Sequence, residues 1–164
     1  MTTNPPSGTT PETRLARLGH PVRLPPQGAP RPYEPLVQVG RIVYGSGNTS
    51  MDRHTGVIYA GRVGAGLDVD TARDYARVAM LNALAALKVH LGELSRITRF
   101  VRVTGYVNST ADFTGQADVI NAASELLLEA FGERGRHART ALGVAQLPGG
   151  AAVEVEVIVE VGEE

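Results

Sequence analysis

The stretch 151–161 reads AAVEVEVIVEV and decides the fold of this 164-residue chain. Valine occupies every odd position from 153 to 161, whereas positions 154, 156 and 160 carry glutamate. This alternation predicts a strand with one face in the core and one face of carboxylates. Two interpretations of the second face stay open. It is either a wet sheet surface, as antiparallel sheets often have, or a face that meets another subunit.

The residues upstream of this strand supply the other elements. Apolar residues at helical spacing predict helices at about 69–91 and 115–131, and the first of these is apolar nearly all round from 78 to 87. β-Branched or alternating stretches predict strands at about 37–43 (with a turn or bulge at Gly40), 57–63, 96–107 and 139–147. The order β-β-α-β-α-β-β predicts an α+β sandwich with both helices on one face of the sheet.

The N-terminal segment has a different composition. Nine of the ten prolines lie between positions 5 and 35, and proline removes the backbone donors that sheets and helices need. We therefore expect a Pro-rich tail and strap over 1–32, with a disordered tail over 1–10, and one folded domain over 33–164. Thr10 and Pro11 are typical of a short helix start.

Composition excludes several classes of function. Sixteen basic and seventeen acidic residues give a net charge of −1, and Lys88 is the single lysine; this balance opposes nucleic acid or a membrane as a partner. Cysteine is absent, which excludes thiolate metal sites and a cysteine nucleophile. The four histidines lack metal-ligand spacing, no serine has an evident base beside it, and no glycine-rich dinucleotide motif is present. We expect neither a metal nor a cofactor. No basic-then-apolar leader pattern is evident, so a cytoplasmic location is expected.

Arg139 is the residue most suited to ligand binding. It opens a predicted strand after a glycine-bounded helix exit, and an arginine fork binds carboxylates in bidentate fashion. Small neighbours leave room for a ligand beside it: Ala138, Thr140, Ala141 and Gly143. The alternative is an ion pair between Arg139 and a glutamate of the last strand.

The stretch 139–157, RTALGVAQLPGGAAVEVEV, resembles the C-terminal signature of the Rid family, the YjgF-like reactive intermediate deaminases. That signature is an arginine, a small-residue strand, Leu-Pro, a short turn and alternating Val/Ile and Glu. Further residues fall where the family has its own motifs: Tyr33, Gly40, Ser46, Gly47 and the Asp112-Phe113 pair. The resemblance spans roughly 33–161.

The resemblance implies a chorismate-mutase-like fold with a mixed sheet, assembled as a homotrimer with clefts between subunits. It implies hydrolysis of a 2-imino or enamino acid to a 2-keto acid and ammonia. Arg139 would hold the substrate carboxylate and Glu154 would position or activate a water, while Tyr33 and Ser46 would line the cleft. Two positions depart from the pattern but belong to the predicted binding site: Ala141, where many members carry cysteine, and His137, where proline is common.

Two other functions stay open: a non-catalytic module that binds 2-keto acids, and a nuclease. A geometric condition also applies to the site. If the last two strands form a tight hairpin at 148–150, Arg139 lies about 17 Å from Glu154 at about 3.3 Å per residue. Either these strands are not neighbours in that register, or the site draws residues from two chains.

Overall fold

A computed structural model describes residues 9–26, 28 and 31–163. Most of the predicted disordered tail, residues 1–8, lies outside the described residues. The chain forms three α-helices and six strands in this part: α1 (Pro11–Arg17), β1 (Leu36–Val39), β2 (Ile42–Gly45), β3 (Asn48–Thr49), α2 (Val69–Leu91), β4 (Ile97–Asn108), α3 (Gln116–Phe131), β5 (Ala138–Val144) and β6 (Val153–Val161).

The strands form one mixed sheet in the order β1-β2-β6-β4-β5, with β3 also paired to β6. β5 runs parallel to β4, and the other pairs are antiparallel. β4 therefore separates β5 from β6, so the last two strands do not form a hairpin. The chain passes from one to the other through a short 3₁₀ turn at Pro148–Gly150, in which Gly149 and Gly150 have left-handed φ angles of 64° and 74°.

Two predicted strands differ from the structure. The strand predicted at 37–43 is a hairpin of β1 and β2 that turns at Gly40, whose φ is 58°; the expected turn is confirmed. The strand predicted at 57–63 is wrong, because this segment makes isolated bridges at Ile58, Ala60 and Val63. Gly61 (φ 144°) and Gly64 (φ 89°) adopt angles that extended backbone does not have.

The core lies between the helices and one sheet face. The five odd-numbered valines of β6 are 0–1% exposed, as the alternation predicts. α2 buries alanines against the sheet, and such small side chains let the helix backbone approach closely. The glutamates of β6 are half-buried on the opposite face, which none of the described helices covers. The predicted placement of the helices on one face is confirmed.

Gly105 in the middle of β4 yields a stability prediction. A Cβ built at Gly105 would lie 2.5 Å from Ile120 Cδ1 of α3, so Gly105→Ala should lower the free energy of unfolding by about 1–3 kcal/mol through overpacking. Urea unfolding measures this. Gly162→Ala is the control, because a Cβ there would make ordinary contacts of 3.7 Å and longer. Ile120→Val should restore part of the loss, and equal stability of Gly105→Ala and the native chain would contradict this account of the packing.

Candidate functional site

Arg139 lies on the edge strand β5 and points toward α3. Its register partner on β4 is Val103, a core residue, so both side chains emerge on the helix side. The guanidinium Nη1 donates to Asn121 Oδ1 at 2.8 Å and to Ser124 Oγ at 3.2 Å. The alternative of an ion pair with a glutamate of the last strand is wrong, because these neutral acceptors hold the side chain instead. Arg139 is thus a half-buried cation whose charge no acidic side chain of the described residues neutralises.

His137 completes a hydrogen-bonded chain behind Arg139. Its Nδ1 lies 2.6 Å from the Gly135 carbonyl oxygen, which can only accept, so Nδ1 carries the proton. Nε2 is then the acceptor for the Ser124 hydroxyl at 3.0 Å, and Ser124 Oγ in turn accepts from Arg139. The expectation that no serine has a base beside it is wrong for Ser124. The two side chains meet although 13 positions separate them, because α3 packs against the segment that leads into β5.

The neutral state of His137 gives a pH prediction. Burial lowers the pKa of His137 below its ordinary value, the hydrogen bond to Gly135 acts in the opposite sense, and the charge of Arg139 lowers it further. The unfolded chain therefore binds a proton here more readily than the folded chain does. The resulting stability is fully present above the ordinary histidine pKa of about 6.5 and is lost as the pH falls toward the lower folded value.

The measurement is the free energy of unfolding in urea at pH 7.5 and at pH 5.5. His137→Gln should show a smaller decrease between the two pH values than the native chain, since it removes the titrating group. His54→Gln, at an exposed position, serves as the control and should keep the native decrease. A His137→Gln profile that parallels the native one would contradict the assignment.

Glu154 lies on the other face of the sheet. Its register partners are Tyr106 on β4 and Thr49 on β3. The carboxylate packs so closely over Gly47 that a Cβ at this glycine would overlap Oε1. Burial and the nearby charge of Glu156 both raise the pKa of Glu154. A carboxylate of this kind is a stronger proton acceptor than an ordinary surface glutamate.

Arg139 and Glu154 of one chain cannot contact one small ligand. Val103 of β4 pairs with Arg139 on one side and with Val157 of β6 on the other, so Arg139 and Val157 lie at the same height in the sheet. Glu154 lies three residues away from Val157 along β6. The separation is about 10 Å along the strands and about 10 Å across two strand spacings. The side chains also leave opposite faces of the sheet. The last two strands are not neighbours, as one of the two expected alternatives required. Even so, the observed register does not bring Arg139 and Glu154 of one chain to the same ligand.

The other predicted residues do not all lie in these two regions. Ser46 Oγ donates to the Glu34 carbonyl at 2.7 Å and its N–H donates to the Pro35 carbonyl at 2.9 Å, which ties the segment before β1 to the end of β2. Tyr33 is 54% exposed beside this junction. Ser46 thus lies next to Gly47, which packs against Glu154. Tyr33 instead lines a cavity with Arg31 and Arg53, whereas His137 and Ala141 lie on β5 or next to it with Arg139. Ala141 is half-buried against the core and offers a ligand its backbone only.

The structure adds residues that the sequence did not indicate. Asn121 and Ser124 are the partners of Arg139, and polar residues within an apolar helix pattern were the one available signal. A cavity of about 360 Å³ also opens at the ends of β4 and β5, beside Arg62, Phe113, Gln116 and Gly143. A Cβ at Gly143 would lie 2.8 Å from both Gln116 Nε2 and Ser109 Oγ, so any larger residue there would require these two side chains to shift.

Within the described ranges, no group of three or more potential metal-ligating side chains occurs. None of the helices in this part of the chain has the length and apolar character needed to cross a membrane. The predicted cytoplasmic location stays a prediction.

Comparison with known proteins identifies the family. Residues 13–161 match the family model described as "YjgF/chorismate mutase-like, putative endoribonuclease". Protein TCP17 of Trypanosoma cruzi is 43% identical over 148 residues, covering 89% of this chain and 91% of the relative. A 2-iminobutanoate/2-iminopropanoate deaminase of Dermatophagoides farinae is 31% identical over 128 residues, covering 78% of this chain and 84% of the relative.

Solved structures agree with this match. The crystal structure of Atu1372 from Agrobacterium tumefaciens, a protein of unknown function, superposes with a TM-score of 0.86 at 39% identity and covers 94% of each chain. The mixed sheet with helices on one face is the architecture expected from the resemblance, and the resemblance itself is confirmed. By its sequence and its fold, the chain belongs to the YjgF/chorismate mutase-like family.

Proposed function

We propose that this protein hydrolyses small 2-imino or enamino acids to 2-keto acids and ammonia, in a cleft formed by two copies of the chain. The observation that carries the proposal is the pair of complementary groups on opposite sheet faces. Arg139 is a positioned cation with neutral partners, and Glu154 is a carboxylate with a raised pKa. Because one chain keeps them apart, Arg139 of one copy would act with Glu154 of the next.

Hydrolysis of an imine mainly requires that the substrate and a water molecule are correctly positioned. Arg139 binds the substrate carboxylate through two N–H donors and so fixes the adjacent imine carbon. A water oxygen attacks the carbon of the protonated imine as Glu154 accepts one of the water protons. Glu154 passes this proton to the amine nitrogen, and it then accepts the remaining hydroxyl proton as the carbonyl forms and the carbon–nitrogen bond breaks. That last proton leaves to solvent. One water is consumed, and one keto acid and one ammonia leave. An imine carbon is already electrophilic, so orientation and proton transfer supply the acceleration.

The uncovered sheet face supports self-association. It carries exposed apolar side chains, among them Tyr44 and Leu142, which are 48% and 47% exposed, next to the half-buried Ile158. Its charged groups are partly paired within the chain, as Tyr106 Oη donates to Glu156 at 3.0 Å. A mixed apolar and paired-polar face is suited to contact with a second copy. We propose a homotrimer with three equivalent clefts, each built from two neighbouring copies.

Two measurements test the proposal: the rate of imine hydrolysis and the molar mass of the assembly in solution. 2-Aminoacrylate or 2-iminobutanoate is generated in situ by a dehydratase, and its loss is followed by competition with semicarbazide. The native protein should accelerate release of ammonia. Light scattering should give three times the 17.3 kDa of one chain. A monomer that hydrolyses the imine would contradict the two-chain cleft, and a trimer without activity would contradict the reaction.

A second candidate is a binding module on the same scaffold that holds 2-keto acids without turnover. Ala141 favours it, since this position contributes no side-chain group to chemistry. Calorimetry with 2-ketobutyrate separates the candidates: binding without imine hydrolysis supports the module. The family description also names an endoribonuclease, but a net charge of −1 with one lysine opposes strong RNA binding.

A further inference from the structure

A second cavity lies at the opposite edge of the sheet from Arg139. Its volume is about 430 Å³, within the range of small-molecule sites. Described residues of three segments bound it: 25, 26 and 28 of the Pro-rich segment, 31 and 33–35 before β1, and Ala86 and Val89 of α2. The residues that matter here are Pro25, Pro26, Arg31, Tyr33, Arg53 and Val89.

Two arginines give this cavity a positive lining. Arg53 is half-buried and its Nε is buried without a hydrogen-bond partner. Its Nη2 donates to Asn48 Oδ1 at 2.5 Å, and Asn48 is itself buried and anchored through Nδ2 to the Ser46 carbonyl at 2.8 Å. The guanidinium is therefore held in place by a neutral group. Arg31 lines the same space, with its Cζ 5.8 Å from the centre of the Tyr33 ring.

No acidic side chain compensates these charges among the residues that the structure describes. Glu34 lines the cavity but forms an ion pair with neither arginine. Burial lowers the pKa of the Arg53 guanidinium, and the nearby charge of Arg31 lowers it further. Both effects are costs that an anion in the cavity would offset.

Apart from Glu34, the remaining walls are mainly apolar. Prolines line one side, and Val89 stands on α2 with 61% of its surface exposed, although it is a large aliphatic residue. The cavity thus offers an anion-binding end and an apolar body, which is the composition of a small-molecule site. An arginine fork accepts either a carboxylate or a phosphate.

We infer that this cavity is a second ligand site, which binds a small organic anion with an apolar body, head group to Arg53 and Arg31. The site goes beyond the proposed deaminase reaction, although its lining includes Tyr33, which the resemblance assigns to the deaminase cleft. Its test measures binding alone, and the Arg139 variant below distinguishes the two sites. It therefore stands or fails independently of catalysis.

The experiment is calorimetric titration of the full chain with phenyl phosphate. We expect one site per chain. Benzoate identifies whether a carboxylate also serves, while inorganic phosphate and benzyl alcohol, which lack the ring or the charge, should each bind at least about tenfold more weakly. Failure of both phenyl phosphate and benzoate to bind would overturn the inference, as would equal binding of benzyl alcohol.

Four variants locate the site. Arg53→Gln should weaken phenyl phosphate binding about tenfold or more, because a charge-assisted hydrogen bond is lost. Val89→Phe should weaken binding by narrowing the cavity from an exposed position, and it keeps the test decisive even if Arg53→Gln does not fold. Arg17→Gln, an exposed arginine on α1, should bind as the native chain does.

Arg139→Gln should also leave the affinity unchanged. Loss of binding in Arg139→Gln would place the anion in the deaminase cleft and overturn a second site. If Val89→Phe and a folded Arg53→Gln both bound phenyl phosphate with native affinity, the inference would be overturned as well.

Discussion

Arg139→Gln is expected to lower kcat/KM for 2-iminobutanoate by about two to three orders of magnitude, since a charge-assisted bidentate contact to the substrate carboxylate is lost. Most of the effect should appear in KM, because this carboxylate is bound in both the ground state and the transition state. A smaller decrease in kcat should follow from poorer orientation of the imine carbon. Steady-state rates of imine loss measure both parameters.

Variants around Arg139 separate charge from geometry. Arg139→Lys keeps the charge but lacks the planar fork of a guanidinium. Its kcat/KM should therefore fall between that of the native chain and that of Arg139→Gln. Asn121→Ala removes the closer acceptor, at 2.8 Å, and should raise KM while the charge is retained. Arg77→Gln is the control, because the ion pairs of Arg77 are with Asp74 and Glu125, neither of which binds Arg139. Native activity in Arg139→Gln would refute its role in the proposed reaction.

The stability of Arg139→Gln is informative too. The partners of Arg139 are Asn121 Oδ1 and Ser124 Oγ, and a glutamine amide also donates hydrogen bonds. The free energy of unfolding should therefore change by less than about 1 kcal/mol. A large loss of activity with little loss of stability distinguishes a ligand-binding arginine from a structural one.

The architecture was largely predictable because its signals are local. The alternation in β6 specifies which residues enter the core, and α2 begins and ends where the apolar spacing and Gly92 predict. The strand predicted at 57–63 shows the limit of such signals. Its side chains favour a strand, but Gly61 and Gly64 adopt angles that interrupt one, and backbone geometry overrides side-chain preference.

The site was less predictable because it depends on strand order. Nothing local to residues 138–144 indicates that β5 pairs with β4 rather than β6, yet that pairing directs Arg139 toward α3. The Ser124–His137 contact has the same origin, since it forms only when α3 packs beside the start of β5. The residue types at Arg139 and Glu154 were evident from sequence, but their placement on opposite faces was not.

Glu154→Gln is expected to lower kcat about a hundredfold or more, the usual contribution of a general base, and to raise the stability of the fold. Burial and the charge of Glu156 raise the pKa of Glu154, so the folded chain binds a proton here more readily than the unfolded chain. The ionised form therefore costs stability, and the cost appears as the pH rises through the ordinary glutamate range toward the raised folded pKa.

Urea unfolding at pH 7.5 and pH 4 measures this cost. Glu154→Gln should exceed the native chain in stability at pH 7.5, and the difference should shrink at pH 4. Glu160→Gln is the matched control on the same face of β6. Its carboxylate pairs with Arg41 at 3.3 Å, so removing it should give no gain and no change in kcat. A destabilised Glu154→Gln at pH 7.5 would contradict the electrostatic assignment.

Mixing the two inactive variants tests the two-chain cleft directly. In a cyclic trimer each cleft takes Arg139 from one copy and Glu154 from its neighbour. Co-refolding equal amounts of Arg139→Gln and Glu154→Gln leaves about one cleft in four with both native residues, so about a quarter of the native activity should return. If both residues acted within one chain, no mixed assembly would contain a complete site. Mixed trimers verified by mass spectrometry that stay inactive would therefore exclude the shared cleft, whereas recovery requires two chains, because neither variant alone contains both groups.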